Sequence, residues 1–142
     1  MKVGHRDADG EDLSFVVSTW SRSFKASPTA GMIADDDWAG VMHAQIRKLL
    51  ARPGVRTVVA FDQDDPQFLF GFIAGDPELR VVHYLYVKQP YRRAGHARRL
   101  FGALGIDPLL PFRFTCWTYA VPELGSKVPR AAYDPNLARY HD

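Results

Sequence analysis

Arg92 and Arg93 lie just ahead of Gly95, where the hydrophobic pattern of the chain changes period. Before them, Val81-Val82-His83-Tyr84-Leu85-Tyr86-Val87 is β-branched and aromatic and reads as a buried strand. After them, Ala97, Leu100, Phe101 and Leu104 recur at the spacing of one face of an amphipathic helix. Pro90 and Gly95 mark the turn between the two. A helix start of this kind carries unsatisfied backbone N–H groups, the positive end of the helix dipole and two guanidinium groups. That combination binds phosphate. A P-loop would need a Lys-Ser or Lys-Thr pair, and a dinucleotide fingerprint three spaced glycines; the sequence has neither.

Other reactive side chains are few. Cys116 alternates in phase with Phe112, Phe114 and Thr118 and reads as a small core residue, not a nucleophile. Trp117 has the opposite phase on the same strand and faces a cleft or pocket. His5, His43, His96 and His141 have no acidic partners at metal-ligand spacing, so no metal is expected.

The elements that must position these groups follow from periodicity. Lys2 to His5 suits a short first strand. Leu13, Val16, Val17, Trp20 and Phe24 predict a helix from about Glu11 to Phe24, capped within Asp9 to Asp12. Asp35-Asp36-Asp37 opens a second helix, where negative charge is favourable, with Trp38, Val41, Met42, Ile46, Leu49 and Leu50 on its buried face. Pro53-Gly54 stops it. Three strands follow at Val55 to Phe61, Phe68 to Ala74 and Val81 to Lys88. The turns between them, Asp62 to Pro66 and Gly75 to Pro77, are short enough to favour antiparallel neighbours. A third helix after Gly95 ends near Gly102 to Gly105, and Phe112 to Thr118 reads as a further strand. Beyond it, three prolines leave room for one short helix around Glu123 to Lys127 and one short strand around Arg130 to Tyr133.

Composition bounds the class. With 142 residues, 46% hydrophobic and 24% charged, the chain suits a single domain over residues 1–142. No apolar run approaches bilayer length and no signal-peptide core opens the chain, so cytoplasmic residence without membrane contact is expected. The net charge of +2 is unevenly spread: residues 1–76 carry 8 Lys/Arg against 11 Asp/Glu, residues 77–142 carry 10 against 5. The positive half holds the phosphate-binding turn and suits an anionic cofactor; the acidic half suits a cationic substrate. Charges scattered over a solvated surface account for the same numbers.

Arg92-x-x-Gly95-x-Ala97 resembles the R/Q-x-x-G-x-G/A motif of the GNAT acyl-CoA N-acyltransferase family, and Leu85-Tyr86-Val87 and Pro90-Tyr91-Arg92 resemble the strand and turn leading into it. The element order is similar to that family over roughly Lys2 to Thr118. The resemblance implies an α/β (α+β) fold with a mixed, mostly antiparallel central sheet flanked by helices. The C-terminal part is shortened: the family adds a helix and two strands where only Ala120 to Asp142 remains here. It implies acetyl-CoA as cosubstrate, with the pantetheine arm pairing along Leu85, Tyr86, Val87 and Lys88. The pyrophosphate then sits on the N–H groups of Arg93, Ala94, Gly95, His96 and Ala97. Arg92 would shape the loop or contact phosphate. Acyl transfer to an amine also needs an oxyanion donor, implied at the N–H of Leu85, Tyr86 or Val87, and a general base. Family members often place a Glu where Val81 stands here. Two residues along, on the same face by strand alternation, His83 offers a base of reference pKa about 6.5. Asp76 is a second candidate that also suits a turn cap. For the general acid the family often uses a Tyr after the fifth strand, which here is Tyr133 in preference to Tyr119, with ordered water as a further route. The loop Lys25 to Asp37 would wall the acceptor site.

Three functions are compatible with these residues. The leading one is an N-acetyltransferase acting on an amine in a ternary complex. A phage-type, Mom-like nucleobase-modifying protein shares the fold, and Tyr133-Asp134-Pro135-Asn136-Leu137 loosely resembles such chains. Nucleic acid is possible as a partner, but the acidic first half does not favour it. A non-catalytic acyl-CoA-binding module is the third. The acceptor, and whether the chain is a monomer or a homodimer, are not written in these motifs.

Overall fold

The computed structural model describes residues 1–25, 38–115 and 131–133. Strand β1 (Val3–Asp7) leads into helices α1 (Gly10–Lys25) and α2 (Trp38–Leu50). Strands β2 (Arg56–Asp62), β3 (Asp65–Asp76) and β4 (Val81–Val87) follow, then a 3-10 turn at Gln89–Tyr91 and helix α3 (His96–Leu104). Strands β5 (Phe112–Phe114) and β6 (Ala131–Tyr133) complete a six-stranded sheet in the order β1-β2-β3-β4-β5-β6. The first four strands are antiparallel, whereas β5 runs parallel to β4 and β6 parallel to β5.

Both faces of the sheet are covered, which is why its central strands read as continuous apolar runs. Val58, Ala60, Phe70 and Ile73 face Leu100, Phe101 and Leu104 of α3. Val59, Phe72 and Tyr84 face Val16, Val17 and Trp20 of α1 and Met42, Ile46 and Leu49 of α2. Trp20 stacks on Tyr84 with ring centroids 4.6 Å apart, and the Tyr84 hydroxyl shares a 2.6 Å hydrogen bond with Ser23. The α1 start is closed by Asp9, whose carboxylate accepts from the Asp12 N–H at 2.9 Å. Asp12 in turn accepts two bonds from Arg6 at 2.9 Å, joining the helix start to β1. That paired guanidinium, acting first through its hydrogen bonds, holds the Asp12 carboxyl below the usual carboxylate range.

The sheet departs from its predicted boundaries in ways that matter for the site. Strand β3 is longer than Phe68 to Ala74 at both ends. Asp65 and Pro66 belong to it because the β2–β3 register slips around Phe61 and Asp62, leaving an irregular stretch where proline costs no ladder bond. Gly75 and Asp76 belong to it because β4 crosses so close there that a Cβ on Gly75 would strike the Val81 carbonyl. Only the Phe112–Phe114 part of the fifth predicted strand is assigned as β5; Cys116 and Trp117 lie outside the described residues, as do Asp35 to Asp37, the predicted helix around Glu123 to Lys127, and all of the Lys25 to Asp37 loop but Lys25 itself. No helix among the described residues is long and apolar enough to cross a membrane.

Candidate active site

Two features meet at the C-terminal end of β4. The first is the junction of β4 with β5. The described β4–β5 ladder comprises Val81 opposite Arg113 and Val82 opposite Phe114, with a bond from the Thr115 N–H to the Val82 carbonyl at 3.0 Å. The residues that follow Thr115 lie outside the described residues. On its other side β4 stays zipped to β3: Tyr84 pairs with Ala74, Tyr86 with Phe72, and the Lys88 N–H donates to Phe70 at 2.8 Å. Backbone groups alternate sides along a strand, so Tyr84, Tyr86 and Lys88 spend theirs on β3 while Leu85 and Val87 turn theirs to the opposite side. Of the three implied oxyanion donors, Leu85 and Val87 therefore face away from β3 and Tyr86 does not.

The second feature is the bend before α3. Arg93 and Gly95 are both left-handed, at φ 66° and 83°, which aims successive N–H groups outward ahead of the helix. Arg99 is the first α3 residue whose N–H finds a helical carbonyl, that of Gly95. The space in front is open: a Cβ built on Gly95 would meet nothing within 4 Å. Arg93, Ala94 and Gly95 are exposed. Arg92 has a structural task, its Nε donating to the Val87 carbonyl at 2.7 Å and tying the bend to the strand. Tyr91 anchors the same turn between Phe68 and Phe70. Lys88 holds its ammonium over the rings of Phe68 and Phe15, 4.8 and 5.6 Å from their centroids.

His96 opens α3 with its backbone at the bend and its imidazole turned inward, edge-on to Phe70 at 4.9 Å. Burial, and then the neighbouring Arg99, lower its pKa. His5 on β1 is lowered by burial, then by Arg99 and His96. Both imidazoles are thus kept neutral beneath the bend.

His83 is 4% exposed and sits on β4 beside Thr115. Tyr84 pairs with Ala74 and Val82 with Gly75, so His83 is the extra residue of a β-bulge. Val82 shares the α3-side core with Leu85, an odd spacing; simple alternation from Val81 through His83 therefore fails here. The bulge brings His83 Nδ1 within 2.8 Å of Thr115 Oγ1. Thr115 was not a candidate from sequence; a polar residue directly after the alternating Phe112 and Phe114 was its only signal. Asp76 accepts from the Leu79 N–H at 3.1 Å and caps the β3–β4 turn, at the end of β4 opposite the Gly95 bend. Tyr133 ends β6 in register with Phe114, one strand beyond β5 and about 10 Å from β4 at normal strand spacing. Tyr119 lies outside the described residues. Among the described residues no three His, Cys, Asp or Glu side chains gather as a metal site.

The fold recurs among solved structures. A protein of Clostridium acetobutylicum assigned as an acetyltransferase, with acetyl-CoA in its crystal, superposes at TM-score 0.61 with 15% identity over 89% of this chain and 88% of its own. A Staphylococcus aureus protein assigned to the GNAT acetyltransferases matches at TM-score 0.52 and 18% identity, over 70% of this chain and 86% of its own. The fold is the GNAT acetyltransferase fold. Apo YjaB of Escherichia coli superposes at TM-score 0.50 and 20% identity over 73% of this chain, which spans 65% of YjaB. No family model matches the sequence, and no curated protein matches it significantly. The GNAT likeness is therefore one of fold, and the glycine bend at the head of α3 is the feature of this chain that gives it chemical content.

Proposed function

We propose that the protein is an acyl-CoA-dependent N-acyltransferase that moves an acetyl group from acetyl-CoA to an amine by direct attack. One observation carries the reading: a left-handed glycine bend leads from β4 into α3, and a Cβ built on Gly95 meets no described atom within 4 Å. N–H groups at such a helix start suit the diphosphate of acetyl-CoA, and β4 backbone turned away from β3 suits its amide-bearing pantetheine arm. The acetyl-CoA in the crystal of the Clostridium acetobutylicum protein supports the same choice of cosubstrate.

In this mechanism Leu85 or Val87 donates its N–H to the thioester carbonyl oxygen as the amine lone pair adds to the carbonyl carbon. His83 takes a proton from the attacking nitrogen. The C–S bond breaks as the carbonyl reforms, and the departing thiolate takes a proton from Tyr133, Tyr119 or water. The products are the N-acetyl amine and CoA.

Calorimetry with acetyl-CoA, followed by a turnover screen over polyamines, peptides, aminoglycosides and DNA, tests the proposal. Binding with turnover on an amine is the expected result. Absence of acetyl-CoA binding overturns the reading, and binding with no turnover on any amine reduces the protein to a carrier of acyl-CoA. Strongly salt-dependent modification of DNA would replace the amine acceptor with a nucleobase.

A further inference from the structure

Three basic side chains gather at the first turn of α3. His96 opens the helix at 8% exposure, its ring edge-on to Phe70. One turn on, Arg99 brings Nη1 to 3.5 Å from His96 Nδ1. A guanidinium only donates, so Nδ1 holds the lone pair of a neutral ring. From the sheet, His5 follows Val3 on the α3-facing side of β1, and its Nε2 is buried with no hydrogen-bond partner. Among the described residues no carboxylate answers these groups. Asp7 on β1 pairs with Arg56 at 2.9 Å, and Asp62 on β2 accepts the Asp64 N–H at 2.9 Å. Strand β3 has its carboxylates, Asp65 and Asp76, at its two ends and presents Phe70 between them, beside the ring of Tyr91. Arg92 is turned to the Val87 carbonyl, and Arg93 and Arg98 are exposed. Burial first, then Arg99 and, for His5, His96, keep both rings neutral. A basic cluster without a counter-charge, directly behind N–H groups that suit a diphosphate, makes anion binding and protonation mutually favourable.

We propose that His96 takes up one proton when the diphosphate of acetyl-CoA docks at the head of α3, so that mild acid strengthens coenzyme binding. The proposal rests on the reading of the Gly95 bend as the diphosphate site. The proton comes from solvent and adds to Nδ1, which then no longer accepts from Arg99. Arg99 is exposed, and its guanidinium is released toward the bound anion. His5 limits the uptake to one proton, because a second imidazolium would face the first with no carboxylate between them. When CoA leaves, the proton returns to solvent. Linkage fixes the sign: an anion beside the ring raises its pKa from the lowered value of the free protein. Uptake is therefore confined to the window around and below about pH 6.5 and vanishes by about pH 8.

Two measurements on the full chain test this. NMR of the carbon-13 and nitrogen-15 labelled protein follows the His96 ring, assigned through bonds from its backbone, from about pH 8 to 5 with and without saturating acetyl-CoA. Calorimetry with acetyl-CoA at about pH 6 and 8, in buffers of different ionisation enthalpy, counts the protons taken up. The coenzyme's own phosphate titrates near pH 6, so the wild-type count is read against His96→Gln. His96 should titrate at higher pH when acetyl-CoA is bound. Wild type should take up about 0.3–1 proton more than His96→Gln at about pH 6, and no more than it at about pH 8. Between those pH values its affinity should rise about two- to fivefold relative to His96→Gln, and His5→Gln should keep the uptake. A His96 titration unmoved by acetyl-CoA, or equal proton counts in wild type and His96→Gln, overturns the proposal while leaving acetyl-CoA binding in place. Uptake lost in His5→Gln would overturn the assignment to His96. Absence of acetyl-CoA binding at either pH removes the diphosphate site and the proposal with it.

Discussion

Arg92 Nε and the Val87 carbonyl, 2.7 Å apart, join the last residue of β4 to the bend that precedes Gly95. This bond joins β4 and the turn that would hold a diphosphate into one corner. Arg92→Ala should weaken acetyl-CoA binding by about tenfold, near the upper end for one hydrogen bond to a neutral carbonyl. Arg92→Lys should recover little of the loss, because an ammonium does not reproduce the guanidinium geometry. Calorimetric affinities of the two variants decide it; wild-type affinity in Arg92→Ala would make the bond incidental.

Gly95 allows a separation of backbone strain from ligand contact. Its φ of 83° disfavours any side chain, yet a Cβ there meets no protein atom within 4 Å. Gly95→Ala should therefore cost about 1–2 kcal/mol of stability, the penalty for a left-handed alanine. Gly95→Glu should add little further instability but abolish acetyl-CoA binding by placing a carboxylate in the diphosphate site. Melting temperatures and binding isotherms of the pair read the two effects separately, and intact binding by Gly95→Glu would move the site elsewhere.

His5 and His96 predict a mild acid sensitivity. Burial, and then Arg99, hold both imidazoles below their ordinary pKa in the folded chain, and His96 adds a smaller push on His5. The unfolded chain binds protons on both near pH 6.5, before the folded one does, so stability falls as pH drops below about 6.5. Replacing both with Gln should flatten that slope, measured by urea unfolding between about pH 7 and 5. An unchanged slope would assign the effect to other groups.

Asp12 acts in a lower window with the opposite chemistry. Its carboxyl is held below the usual range, first by the Arg6 hydrogen bonds, so its contribution is complete above about pH 3.9 and is lost as pH falls through the folded value. Asp12→Asn should lose about 1.5–3 kcal/mol at neutral pH and less under strong acid. Chemical unfolding at two pH values checks this, and an equal loss at both would point to packing.

The fold was legible along the chain wherever local chemistry sufficed. The β4-to-α3 junction is visible because a period of two gives way to a period of 3.6 across Pro90 and Gly95. The order of elements follows from the same periodicity, as does the pairing of β2, β3 and β4 as antiparallel neighbours across short turns. The need for glycine at position 95 is equally local, because the left-handed backbone of the bend excludes a Cβ within a single residue.

Position across strands was not legible. Whether His83 follows alternation or bulges depends on how β4 registers against Ala74 and Gly75, and register is a property of two strands. The same holds for Leu85 and Val87, whose backbone groups turn away from β3 only because those of Tyr84 and Tyr86 are spent on it, and for Thr115, which lies 32 residues from His83 in sequence and 2.8 Å from it in space. Sequence by itself determined a strand, a glycine bend and a basic helix start; the tertiary structure alone decided the register of β4 and which side chains meet across it, because hydrogen-bond partners across a sheet are chosen by pairing and not by composition.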